Sequence, residues 1–253
     1  MGKDKKEALY SLDLLNEVLK EKENDFKNNY FDIKEIFENI KTFTGQNTFT
    51  ISFTEKRDDL NQWRGYANTP ISYCIGFSPN ELKEIQIKNI IQEHNKKNDP
   101  KVEIITSTLF YSCIYDVNLQ KQLIRTIIDK QFYIKTYKKG ELTNFGMAAQ
   151  IMTDFLPVST LYKHPSFSEE KEFRLVFENV QNDKIKIRIG KDRFIPYLEV
   201  PITPNNIKDI IIGPCDNEQY IRNQTLYVCQ KYGIEFIKAT GRELQNSQVP
   251  YRH

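Results

Sequence analysis

The sequence is poor in residues on which several kinds of chemistry depend. Histidine occurs three times in 253 residues, at His94, His164 and His253, with no metal-ligating pair. The four cysteines, Cys74, Cys113, Cys215 and Cys229, lie far apart and form no Cys-x-x-Cys motif. The usual zinc and thioredoxin-like spacings are therefore missing, and small buried thiols of a cytosolic protein are the expectation. Glycine is scarce as well, with ten residues, and none falls in Gly-x-Gly-x-x-Gly, a P-loop or Gly-x-Ser-x-Gly. Nucleotide kinases, α/β-hydrolases and zinc hydrolases in their common forms are excluded on those grounds. No run approaches eighteen apolar residues, so no transmembrane helix is expected. The opening Met1-Gly2-Lys3-Asp4-Lys5-Lys6-Glu7 has no apolar export segment and does not fit the myristoylation pattern, which points to the cytoplasm. Charge is nearly balanced at +2, so no strong nucleic-acid footprint and no membrane attraction are expected.

What the chain does have is aromatic bulk. Sixteen Phe, fourteen Tyr and one Trp supply large buried areas, which rules out disorder for most of its length. With no internal repeat or low-complexity tract, the sequence reads as one domain over residues 1–253, with N-terminal helices over 4–41 and a β-rich remainder carrying inserted helices over 79–161. Leu9, Leu12, Leu15 and Leu19 recur at helical steps and predict a helix over 4–25. Ile33, Ile36, Phe37 and Ile40 predict another over 32–41. At Thr48–Thr54 the period changes to two, giving a strand with one apolar and one hydroxyl face. A short helix or ordered loop over 55–67 and a strand over 72–77 follow, then a helix from Ser78-Pro79 to about His94. Strands are predicted at 102–106 and 108–115, helices at 117–136 and 141–161, and strands at 172–178, 184–190, 193–200 and 207–212. A helix over 217–231 and a strand over 234–239 complete the pattern. Without regular βαβ alternation the fold class is α+β, with a mixed, mainly antiparallel sheet flanked by helices.

Three clusters carry polar chemistry. Ser52 and Thr54 stand two residues apart on a strand, so both hydroxyls face the same way and can bind a ligand or simply face solvent. Trp63 and Tyr66 sit among Arg57, Asp58, Asp59, Asn61, Gln62 and Arg64. On a helix Asp59, Trp63 and Tyr66 share a side, either as a stacking wall for a flat ring or as a core anchor. In Lys163–Arg174, Glu170, Glu172 and Arg174 alternate onto one strand face, with Phe173, Leu175 and Phe177 on the other. Two carboxylates and a guanidinium suit acid/base or electrostatic work, or else a solvated ion pair. His164 is a candidate base, although a lone histidine is more often structural.

These clusters resemble an uncharacterised bacterial family, domain of unknown function 2971. The resemblance runs through Ile51–Thr54 with Asp58, Asp59, Gln62-Trp63-Arg64 and Tyr66, then Ile75-Gly76-Phe77, Phe167–Arg174, Ile211–Pro214 and Ser247…Pro250-Tyr251-Arg252. The family pattern opens with a Tyr-His-Tyr-Thr strand, absent from this sequence, in which Gly2–Glu7 resembles the segment that follows it. The order of a hydroxyl strand and a late Glu-x-Glu strand is distantly similar to ADP-ribosyltransferases. That similarity implies NAD as substrate, with Glu172 as the catalytic carboxylate and Glu170 contacting the ribose or acceptor. Ser52, Thr54, Trp63, Tyr66 and Arg174 are then the NAD-binding candidates, and a toxin or anti-phage effector is the implied role. The implied partners are a nucleotide ligand and an acceptor macromolecule. The other readings are a non-catalytic ligand-sensing module, and a metal-dependent nuclease in which Asp58, Asp59, Glu170 and Glu172 converge. A shared site requires Ser52 or Thr54 within roughly one ligand's width of Glu172, with Trp63 or Tyr66 forming a wall of the same cleft. Arg174 is expected to pair with a carboxylate and hold it ionised.

Overall fold

The computed structural model describes residues 5–42, 48–67, 69–77, 108–137, 142–178, 180, 182–236 and 241–250. In chain order the described helices are α1 (Lys5–Glu21), α2 (Glu23–Asn28), α3 (Ile33–Thr42), α4 (Leu60–Tyr66), α5 (Val117–Tyr137), α6 (Asn144–Ser159) and α7 (Glu218–Lys231). The strands are β1 (Phe49–Thr54), β2 (Tyr73–Gly76), β3 (Thr108–Ser112), β4 (Glu172–Phe177), β5 (Lys186–Ile189), β6 (Phe194–Tyr197), β7 (Asp209–Ile212) and β8 (Glu243–Asn246). The fold is α+β, as the order of periodicities implies. The strands group into two three-stranded sheets, β1-β4-β3 and β2-β7-β8, and a β5-β6 ribbon. The predicted helix over 79–94 with its Ser78 cap, the strand over 102–106, His94, His253 and the Tyr251-Arg252 ending lie outside the described residues.

Contacts divide the chain into two compact units, Met1–Phe53 with Ile105–Leu198, and Thr54–Ile104 with Glu199–His253. In the first, α1, α3, α5 and α6 surround an apolar core built on Leu15, Leu19, Ile36, Ile40, Ile124, Ile128 and Ile151. The predicted helix over 4–25 breaks at Lys22, and the following short α2 carries Phe26 into that core. Leu9, expected on the buried stripe, is exposed, while Leu14 and Val18 are buried. Strand β4 is central in its sheet and pairs antiparallel with β3. Period-two alternation gives that sheet two unlike faces. Phe110 stacks on Phe173 and meets Phe53 edge-on, forming an aromatic face. Glu172 and Arg174 take the opposite face. Both are buried, so the solvated ion pair does not hold.

In the second unit β7 is central, antiparallel to β2 and parallel to β8. Two glycines there answer to close approach: a β-carbon at Gly76 would collide with the Asp209 carboxylate, and one at Gly213 would lie 3.0 Å from the Trp63 ring. Among the described residues the last strand is Glu243–Asn246, whereas Ile234–Phe236 form no strand. Ile234 and Phe236 are apolar because they pack against the cluster of Ile207, Ile210, Ile212 and Leu244. The rest of the predicted strand, 237–239, lies outside the described residues.

Candidate functional site

The polar face of β4 is organised around one carboxylate. Glu172 begins the strand, and its backbone carbonyl accepts from the Cys113 amide at 2.8 Å while its own N–H donates to the Tyr115 hydroxyl at 2.9 Å. Both backbone groups are thus fixed before the side chain is considered. Oε1 of Glu172 accepts from Ser52 Oγ at 2.5 Å and from Arg174 Nε at 2.6 Å. Oε2 accepts from Lys163 Nζ. The side chain is only 6% exposed, yet three donors serve its two oxygens.

Each cation has a further commitment. Arg174 Nη1 donates to the Thr160 carbonyl at 2.5 Å, at the C-cap of α6, where helix carbonyls lack partners and the helix dipole favours positive charge. Its Nη2 donates to Glu7 Oε2 at 2.7 Å. Lys163 Nζ also donates to Glu170 Oε2 at 2.6 Å, and stands 3.9 Å from Glu7 Oε1. The Lys163 backbone is held by a parallel bridge: its N–H donates to the Ile114 carbonyl, and the Gln120 amide donates to the carbonyls of Ile114 and Lys163. Tyr10 completes this frame by donating to Gln120 Oε1 at 2.8 Å.

A short 3₁₀ turn, Pro165–Glu170, joins Lys163 to the carboxylates. His164 caps it, with Nδ1 accepting from the Ser166 amide, and its ring meets Tyr10 edge-on. The lone histidine is therefore a structural cap here. Lys171 ends the turn with φ of 43°, in the left-handed region. That reversal separates Glu170 from the strand, so Glu170 and Glu172 meet through Lys163 and not through strand alternation.

The electrostatics follow. Burial alone would raise the Glu172 carboxyl, but the bonds from Arg174, Lys163 and Ser52 outweigh it and hold the group below the usual carboxylate range. Burial would likewise lower Lys163 and Arg174. Their carboxylate partners prevail, so both are held above their ordinary values. Cys113, beside this network, is pushed up to about 12, mainly by burial. It is an inert thiol at neutral pH.

Of the residues expected from the sequence, Ser52, Glu170, Glu172 and Arg174 come together in the first unit. Thr54, Trp63 and Tyr66 belong to the second. Thr54 Oγ1 accepts from the Lys56 amide at 3.0 Å. Trp63 is buried in α4, whereas Tyr66 is exposed, so the two do not present one stacking face. Asp59 caps that helix through the amides of Asn61 and Gln62. Asp58 is the anchor: it accepts from Trp63 Nε1, Ser247 Oγ and the Gln248 amide, each at 2.7 Å. Burial opposes ionisation of Asp58, but these three bonds prevail and lower its pKa. Among the described residues no group of three or more His, Cys, Asp and Glu side chains is placed to hold a metal ion.

The sequence places Lys163 at the head of its richest polar cluster without a role and gives none to Glu7. Lysine is almost never fully buried, so spacing alone carries no signal of a buried one. Glu7 lies on a helix whose charged positions are indistinguishable by pattern.

With this geometry in view, the chain resembles the family described as protein of unknown function (DUF2971), which matches residues 62–175. That stretch holds Trp63, Tyr115, Lys163, Glu170, Glu172 and Arg174, while Glu7 and Ser52 precede it. No curated protein and no solved structure matches the chain. None of the helices among the described residues is long and apolar enough to cross a membrane.

Proposed function

We propose that the first unit carries an ADP-ribosyltransferase-like site acting on NAD, with Glu172 as the carboxylate that faces the reacting sugar. The supporting observation is the 2.5 Å hydrogen bond from Ser52 to Glu172, which joins the hydroxyl strand to the Glu-x-Glu strand. In the reaction the bond between ribose C1′ and the nicotinamide nitrogen breaks, and nicotinamide leaves with the bonding electrons. Positive charge develops on the sugar, as in glycoside cleavage. A carboxylate held ionised can stabilise that charge, and a hydroxyl fixing one of its oxygens removes the cost of orienting it. An acceptor hydroxyl or water then adds to C1′ and gives up its proton. Glu172, with its depressed pKa, suits electrostatic stabilisation and is a poor proton acceptor. Glu170, 25% exposed, is better placed to take the acceptor's proton. Activity of this kind fits the role of a toxin or anti-phage effector.

One observation favours a second reading, a ligand-sensing module without chemistry. Glu172 already accepts from Ser52, Lys163 and Arg174, as a carboxylate serving only to knit the fold would. The nuclease reading gains no support among the described residues, because Glu170 and Glu172 face Lys163.

Release of nicotinamide from NAD, followed for hours with the purified chain and with Glu172→Gln, tests the proposal. Turnover abolished by the substitution supports it. Intact NAD in the presence of folded wild-type protein overturns it, and binding of ADP-ribose without turnover moves the conclusion to the sensing module.

A further inference from the structure

Arg174 has three donor directions, and they are not equivalent. Nε is spent on Glu172, two residues away on the same strand, and Nη1 on the Thr160 carbonyl at the end of α6. Neither partner can leave without unmaking the unit. Nη2 is spent on Glu7, which enters from the first turn of α1 with its side chain 25% exposed, against 6% for Glu172. The same carboxylate approaches Lys163 at 3.9 Å, an ion pair without a hydrogen bond.

Charge makes Glu7 the replaceable member. Glu7, Glu170 and Glu172 set three carboxylates against Lys163 and Arg174. Without Glu7 the two cations still face two carboxylates, so neutrality does not need it. What its departure leaves is a buried guanidinium N–H with no acceptor, a vacancy any oxyanion of the right reach can fill.

We propose that Arg174 and Lys163 form an exchangeable oxyanion subsite, filled in cis by Glu7 and taken by the phosphate oxygens of a diphosphate ligand. The proposal deepens the NAD reading and rests on it for the ligand's class. Glu7 covers the cations, and its exchange for phosphate leaves Glu172 paired with Ser52, Lys163 and Arg174. An intrachain competitor lowers apparent affinity by the fraction of molecules in which it is seated, so removing it tightens binding without any new contact. The Nη2 of Arg174 released by Glu7 offers a charge-assisted N–H to a phosphate oxygen, and Lys163 adds a point charge.

Inorganic pyrophosphate is the probe, titrated calorimetrically into the full chain, with citrate as a carboxylate comparison and ADP-ribose as the nucleotide form. Glu7→Ala and Glu7→Gln are predicted to bind pyrophosphate at least about tenfold tighter than wild type. Adding Arg174→Lys to Glu7→Gln is predicted to remove that gain, because an ammonium lacks the planar fork that aims Nη2 at the ligand while Nε and Nη1 stay on Glu172 and Thr160. Citrate binding equal to that of pyrophosphate in the Glu7 variants would show general oxyanion exchange and overturn the assignment to phosphate. If both Glu7 variants fold, by far-ultraviolet circular dichroism and a cooperative urea transition, and bind pyrophosphate no better than wild type, Glu7 is only a clamp for α1 and the subsite is refuted. Should both variants unfold, the carboxylate is indispensable to the unit and exchange is equally refuted. Tighter pyrophosphate binding with NAD left intact supports the subsite while rejecting the transferase reading, so the two failures are distinguishable.

Discussion

Ser52 Oγ donates to Glu172 Oε1 at 2.5 Å, linking positions 120 residues apart in sequence. The bond is one of three on that carboxylate. Ser52→Ala is therefore expected to cost about 1 kcal/mol of stability, the net worth of a typical hydrogen bond, with Glu172 still held by Lys163 and Arg174. Urea unfolding checks the stability term. If the NAD reading holds, the same variant loses more in nicotinamide release than in ADP-ribose affinity, because the hydroxyl orients a group that works only in the transition state.

Removal of Arg174 strands Glu172 and the Thr160 carbonyl in a buried setting. Arg174→Ala is expected to destabilise the chain by roughly 3–5 kcal/mol. Lys171, whose side chain is exposed at the end of the 3₁₀ turn, is the comparison. Lys171→Ala should change stability by no more than about 0.5 kcal/mol. Equal losses in chemical denaturation would contradict the network's importance.

Acid is expected to weaken the first unit through Glu172. Its folded pKa lies below the unfolded value, so its contribution is fully present above the ordinary carboxylate range and is lost as pH falls through the depressed folded value. Stability measured by urea unfolding at successive pH values should hold near neutrality and decline below the usual carboxylate pKa. A stability that rose with acidification across that interval would contradict this sign.

Asp58 ties Trp63 to Ser247 and Gln248 within the second unit. Asp58→Ala leaves those donors without their acceptor, at an expected cost of about 1–3 kcal/mol for a buried group left unpaired. Trp63 is the sole tryptophan, so its emission reports the site directly. A red shift in the variant under native conditions is expected, because the indole loses its fixed partner and gains access to water.

Cys113 offers a chemical check on burial. Its thiol is pushed up to about 12, so it should resist a thiol reagent at pH 8 until the chain unfolds. Quantified by mass spectrometry, native labelling of Cys113 should lag behind that of half-buried Cys215.

Local periodicity made much of the fold legible. The alternation in Thr48–Thr54 marks β1, and the helical stripe of Ile33, Ile36, Phe37 and Ile40 marks α3, because both patterns record which side chains must avoid water. Strand β8 was not legible. Glu243–Asn246 contains one apolar residue, and its strand form depends on parallel pairing with β7. The apolar Ile234 and Phe236 mimic a strand because burial, not pairing, selects them. The break at Lys22 was hidden because residues suited to a helix lie on both sides of it, in α1 and α2.

By itself the sequence determined most of the described element types, the α+β class and the identity of the polar clusters, because these depend on spacing along the chain. It placed Glu172 and Arg174 on one strand face, a consequence of the two-residue period alone. Only the tertiary structure decided that this face is buried, that Ser52 completes it, and that Lys163 and Glu7 converge on it. Those partners come from separate elements, and no local pattern encodes which of many lysines or glutamates will meet. A charged side chain is buried only where partners repay its desolvation, and that condition is met only once distant elements have packed together.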